Sequence, residues 1–103
     1  MPRTTPMVEK NKSKQETYDI INLRKDVDII DEKILDLINQ RLILASQIGN
    51  VKGKQGKPVI DKSRENDVIQ RLINLNNGPV SPEALRRFFK EIIMLCREIQ
   101  NSR

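Results

Sequence analysis

A sustained apolar stripe from Ile20 to Val51 constrains this chain more than any other feature. Ile20, Val27, Ile34 and Ile48 stand seven or fourteen residues apart, and Leu23, Ile30, Leu37, Leu44 and Val51 fill the interleaved positions. Heptad spacing of this kind puts every one of these side chains on one face of a helix. Residues 18–53 contain no proline and are rich in good helix formers, so one long helix is predicted there. At roughly 1.5 Å per residue it reaches about 50 Å.

Arg41 breaks the stripe, standing in its Ile/Val register. Its helical neighbours Leu37, Ile38, Leu44 and Ala45 include no acid. A guanidinium against an apolar seam is costly without a partner. That partner must come from another segment or from a bound anion. Lys52 follows about three turns later, roughly 16 Å along the axis and on nearly the same face. Its neighbours Ile48 and Gly49 are again not acidic. Two inward cations on one helix point to a buried anion-binding site.

The remaining chain reads as two shorter helices. Lys54 to Pro58 read as a loop. A second helix starts near Asp61 or Ser63, both suitable N-caps, and runs through Val68, Ile69, Leu72 and Ile73 to the breakers Asn76, Asn77, Gly78 and Pro79. A third starts with Ser81 as N-cap and Pro82 at the first helical position. Its stripe is Leu85, Phe88, Phe89, Ile92, Leu95, Cys96 and Ile99, with Gln100 on the face of Cys96. Residues 1–17 are polar and contain proline; they read as a disordered basic tail, which leaves residues 18–103 as one helical domain. The predicted class is all-α, a three-helix protomer with one long N-terminal helix. That helix overhangs either shorter one, so a homodimer is the simplest way to cover its stripe. A parallel coiled coil through the long helix alone would leave the two capped helices nowhere to pack.

Composition narrows the chemistry. The 103 residues contain no histidine, which removes imidazole bases, Ser-His and Cys-His nucleophile pairs and most zinc sites. No glycine-rich phosphate loop is present. Any catalysis must come from cations, carboxylates and amides. The single cysteine, Cys96, has no internal disulfide partner and fits a reducing cytoplasm. Neither a membrane-spanning run nor the apolar core of a signal peptide is seen, so the expected location is cytoplasmic. A net charge of +5 raises nucleic acid as a partner. Against it, Tyr18, Phe88 and Phe89 are the only aromatic residues, and they make no stacking platform.

The string LRKDVDIIDEKILDLINQRLILASQIGNVK resembles the first helix of the all-helical class of chorismate mutases. The shared elements are Leu23-Arg24, Asp31, the run Ile34 to Ile38, Arg41, and Gly49 to Lys52. Pro58, Val59, Asp61, Arg64 and Glu65 resemble the family's next segment; Ile92-Ile93, Cys96 and Gln100 match its last helix. The resemblance covers about residues 20–101, and its order and spacing are specific where each piece alone is weak.

The resemblance implies an intertwined homodimer that rearranges chorismate to prephenate, on the route to phenylalanine and tyrosine, without cofactor or metal. It implies that Arg41, together with Arg24 donated across subunits, clamps the two substrate carboxylates. Lys52 and Gln100 would reach the ether oxygen. Glu65, with Asp61, would hold the ring hydroxyl. Arg64 would support the carboxylate side. Cys96 takes the place of a serine near a substrate carboxylate, and a thiol is the weaker donor.

Taken singly, each residue has a plainer reading. Arg24 can pair with Asp28 at i+4, Arg41 can snorkel to solvent, and Lys52 can favour the helix C-terminus. Asp61 can be an N-cap only; Arg64 and Glu65 can form a surface charge pair. Cys96 can be a small core residue and Gln100 a fraying terminal one. The rival functions are an isochorismate-pyruvate lyase, similar in fold, and a basic helical nucleic-acid-binding dimer using Arg86, Arg87 and Lys90. The inward Arg41 does not suit the latter, because phosphate contacts need exposed cations.

Overall fold

Runs free of internal proline give three helices in the computed structural model, which describes residues 12–101. They are α1, Lys12–Gln55; α2, Lys62–Leu75; and α3, Pro82–Asn101. Among the described residues there is no strand. No helix there is long and apolar enough to cross a membrane.

Helix α1 is longer at both ends than predicted. It begins at Lys12 instead of residue 18 and ends at Gln55 instead of residue 53. Residues 12–17, KSKQET, are mostly good helix formers that extend the helix once it is nucleated. Of the expected disordered tail, residues 1–11 lie outside the described residues. The predicted loop residues Lys54 and Gln55 complete the last turn. The stop is Gly56, whose φ of 69° lies in the left-handed region that favours glycine. Gly56 N–H donates to the Gly53 carbonyl at 3.3 Å and Lys57 N–H to the Lys52 carbonyl at 2.8 Å. This paired closure caps the orphaned carbonyls of the final turn.

The caps of the shorter helices follow the sequence. Asp61 Oδ1 accepts from the Arg64 N–H at 3.0 Å, and Ser81 Oγ accepts from the Ala84 N–H at 3.1 Å. Between α2 and α3, Asn76 Oδ1 accepts from Gly78 N–H while Asn76 Nδ2 donates to the Val80 carbonyl at 2.7 Å. One side chain thus closes the whole turn.

The chain divides into two compact units, residues 1–36 and 37–103. In the first, the described part is α1 up to Asp36. Its apolar side chains Ile20, Leu23, Val27, Ile30 and Ile34 are all exposed. In the second unit, Ala45 packs with Ile92 and Cys96, and Leu42, Phe89 and Ile99 close around them. Val68 and Ile69 of α2 are also buried, as is Ile93.

One expectation about the core needs correction. The third-helix stripe included Phe88 and Leu95, yet these are 50% and 42% exposed, and Ile93 is buried in their place. The packing of α3 centres on Ile92, Ile93 and Cys96, which rotates Phe88 and Leu95 outward. The large apolar members of the α1 stripe are exposed along its length. Its members range from 42% exposed at Ile34 to 60% at Leu37, while Ala45 and Gly49, beside the stripe, are buried. Small residues let α3 approach the α1 backbone closely; the large ones face elsewhere.

Candidate active site

The face of α1 that meets α3 carries Arg41, Ala45, Gly49 and Lys52 at successive helical turns. Arg41 is half-buried, and its Nη1 donates to Cys96 Sγ on α3 at 2.8 Å. A thiol is a weak acceptor, so this contact orients the guanidinium without neutralising it. Ala45 and Gly49 supply the room. A Cβ on Gly49 would lie 2.9 Å from the Gln100 Cα and 3.1 Å from its carbonyl oxygen. Only glycine permits that approach, and it brings Gln100 beside the face holding Lys52.

Lys52 is fixed twice. Its carbonyl accepts from Lys57 N–H in the helix cap. Its Nζ donates to the Val59 carbonyl at 2.9 Å. The connection to α2 is thereby folded back onto the end of α1, which carries Asp61 and the first turn of α2 toward the same place.

That first turn presents Asp61, Arg64 and Glu65. The Asp61 carbonyl accepts from Glu65 N–H at 3.0 Å, so the helix starts immediately at the cap. A carboxylate in the first turn is also favoured by the helix dipole. Glu65 meets Arg97 of α3 in a bidentate pair: Arg97 Nε donates to Oε2 at 2.8 Å and Nη2 to Oε1 at 2.5 Å. The hydrogen bonds from Arg97 hold the Glu65 carboxyl below its ordinary value of 4.5. The charges of Arg97 and Lys62 act in the same direction; desolvation and the Asp61 carboxylate oppose them.

These groups line a cavity of about 350 Å³, within the range of small-molecule sites. Arg41, Lys52, Asp61 and Arg64 contribute to its wall, as do Glu65, Cys96 and Gln100. Arg24 is not among the lining residues and is exposed on α1. Sequence reasoning missed Arg97 and the Val59 carbonyl and gave Gly49 no role beyond its place in the family resemblance. The signal for Arg97 was its place one turn after Ile93, a residue of the family-like last helix. Four cations, Arg41, Lys52, Arg64 and Arg97, face two carboxylates, Asp61 and Glu65. The surplus of two positive charges suits a dianion. Leu44, Ala45, Ile48, Val59, Val68 and Ile93 make the rest of the wall apolar, and charges beside apolar groups interact more strongly than in open water. Among the described residues, Gln100 Oε1 is buried without a hydrogen-bond partner. A buried polar atom left unsatisfied is a costly feature that often marks a functional position.

A family model described as chorismate mutase type II matches residues 23–101. The chain belongs to the type II chorismate mutase family. Among similar proteins, the bifunctional chorismate mutase/prephenate dehydratase of Aquifex aeolicus (strain VF5) is 40% identical over 82 residues, 76% of this chain and 23% of that protein. The protein of the same description from Neisseria gonorrhoeae is 36% identical over 81 residues, 79% of this chain and 22% of that one. The chain thus spans less than a quarter of the length of these relatives. Among solved structures, form II of the chorismate mutase from Thermus thermophilus superposes with a TM-score of 0.80 at 33% identity. That match covers 82% of this chain and 96% of the other. The type II chorismate mutase assignment therefore rests on sequence and fold together, and the cavity lies within the matched residues.

Proposed function

We propose that this chain is a chorismate mutase, converting chorismate to prephenate in the biosynthesis of phenylalanine and tyrosine. The observation that carries this reading is the cationic cavity in which Arg41 and Lys52 of α1 meet Glu65 and Gln100. Chorismate is a dianion with an ether oxygen and a ring hydroxyl. Its rearrangement is intramolecular: one carbon–oxygen bond breaks as one carbon–carbon bond forms. No proton transfer or covalent intermediate is needed, so a chain without histidine can perform it.

The cavity would contribute by holding the compact reactive conformer and by stabilising growing charge. Arg41 would clamp a carboxylate through its planar fork, with Arg64 in support and Cys96 alongside. Lys52 and the Gln100 amide would donate to the ether oxygen, where negative charge develops. Glu65 and Asp61 would accept from the ring hydroxyl. No residue here needs a metal or cofactor for these roles.

The working form in this proposal is an intertwined homodimer in a reducing cytoplasm. The exposed α1 stripe supports the dimer, because a row of large apolar side chains in water favours association. Arg24 of the partner subunit would then add a second carboxylate clamp. The free thiol of Cys96 supports the compartment.

The test is loss of chorismate absorbance with purified protein, with the product identified as prephenate, beside Arg41→Ala. Native turnover with near-abolition in a folded Arg41→Ala variant is the expected result. Turnover of isochorismate but not chorismate would replace this reading with the lyase. Chorismate turnover that survives Arg41→Ala would overturn the assigned site.

A further inference from the structure

We infer that Arg97 is a positioning residue: its fork fixes the Glu65 carboxylate on the cavity wall as an acceptor, selecting ligands that present a hydroxyl there. The inference rests on the mutase reading, in which that hydroxyl belongs to the chorismate ring. The geometry carries it. Both Glu65 oxygens are held, one by Nε and one by Nη2 of the same guanidinium. Two parallel bonds fix the carboxylate plane, where one bond would leave it free to turn. An ionised carboxylate has about four lone-pair sites, so two remain to accept from a ligand.

The surrounding charges explain why such a hold is needed. Arg41 and Lys52 from α1 and Arg64 from α2 line the same cavity. A loose Glu65 would be drawn to them and would neutralise the cations that substrate carboxylates require. Arg97 keeps Glu65 on the α2–α3 side of the cavity. Asp61 and Lys62 stand near Glu65 at the start of α2, and Lys90 joins Arg97 from α3 at a second cleft on the outer side of the pair. Glu65 is 19% exposed at its side chain and Arg97 31%, so water competes only in part. The lowered Glu65 carboxyl has the direction expected of this arrangement.

The test is kinetics with chorismate for the native protein, Arg97→Met, Arg97→Lys, Glu65→Gln and the double variant Arg97→Met/Glu65→Gln, across pH. Arg97→Met should lower kcat/KM by about tenfold or more, the scale of a misplaced contact group. The acid limb of its pH profile should move to higher pH. The double variant should be no worse than Glu65→Gln alone, because Arg97 acts through Glu65. Losses that multiply in the double variant, or an acid limb unmoved in folded Arg97→Met, would overturn the inference. If Arg97→Met does not fold, Arg97→Lys keeps the charge and loses the fork, and the same comparisons apply. If the native protein turns over no chorismate, the mutase reading fails by itself. Carbon-13 NMR titration of Glu65 in native and Arg97 variants then decides the hold directly: an upward shift on removing Arg97 supports it, and an unmoved midpoint ends it.

Discussion

Gly49 of α1 and Gln100 of α3 are in backbone contact, with space for a hydrogen where any other residue has a Cβ. Alanine in a helix is favoured over glycine by about 1 kcal/mol, so Gly49→Ala would be stabilising on a free surface. Here the added carbon would sit 2.9 Å from the Gln100 Cα and 3.0 Å from its Cβ. Backbone cannot move aside as a flexible side-chain end can. The clash should win, with net destabilisation of about 1–3 kcal/mol, the usual cost of overpacking. Chorismate turnover should fall as well, because Gln100 is pushed from Lys52. Denaturant unfolding checks the first effect; an unchanged midpoint would mean that α3 shifts freely.

Gln100 also makes a prediction about pH. An amide donates a hydrogen bond at every ordinary pH, whereas a carboxylic acid donates only when protonated. Turnover by the native chain should change little between about pH 6 and pH 8, where an amide does not titrate. Gln100→Glu should become active only on the acid side. The check is kcat/KM against pH for both proteins. A native profile that falls steeply across that interval, with the protein still folded, would remove Gln100 from the ether-oxygen role.

The helices and the inward cations were legible in the sequence for a local reason. Asp61, Ser81 and Pro82 act on their own first turns, and Arg41 announces itself by occupying an apolar register position. Arg97 and Gly49 were not legible because their meaning lies across the fold: Glu65 is 32 residues from Arg97, and Gln100 is 51 residues from Gly49. Periodicity says which side chains share a face; it does not say what meets that face. The α1 stripe could therefore be read as one helical face, while the burial of Ala45 and Gly49 beside it could not. Phe88 and Leu95 were misplaced for the same reason, lying at the margin of a stripe whose centre is set by Ile92, Ile93 and Cys96.

Stability should respond to acid through the Glu65–Arg97 pair. The Glu65 carboxyl is lowered in the folded protein. Its contribution is therefore present above the ordinary glutamate value of 4.5 and is lost as pH falls through the folded value. Both side chains are partly exposed, so the effect is a modest slope and not an abrupt transition. Denaturant midpoints measured downward from neutral pH should decline more steeply for the native protein than for Glu65→Gln. Parallel curves would show that the pair contributes nothing that titrates.

The exposed stripe and Arg24 give the last prediction. On a monomer, Ile30→Glu would be nearly silent, since surface substitutions usually stay within about 0.5 kcal/mol. In a dimer sealed by this stripe, one carboxylate per chain would be buried without a partner and should dissociate it. Sedimentation should show a native dimer and an Ile30→Glu monomer, and native thermal stability should rise with protein concentration. Cross-subunit donation is separable from dimerisation itself. Arg24→Ala and Arg41→Ala should each be almost inactive alone. Unfolded together and refolded, they form mixed dimers in which one site takes Arg41 from one chain and Arg24 from the other, while the second site has neither. Random pairing should restore about a quarter of native activity. Recovery of nothing from a mixture that dimerises normally would place both arginines in the same protomer's site and end the shared-site proposal.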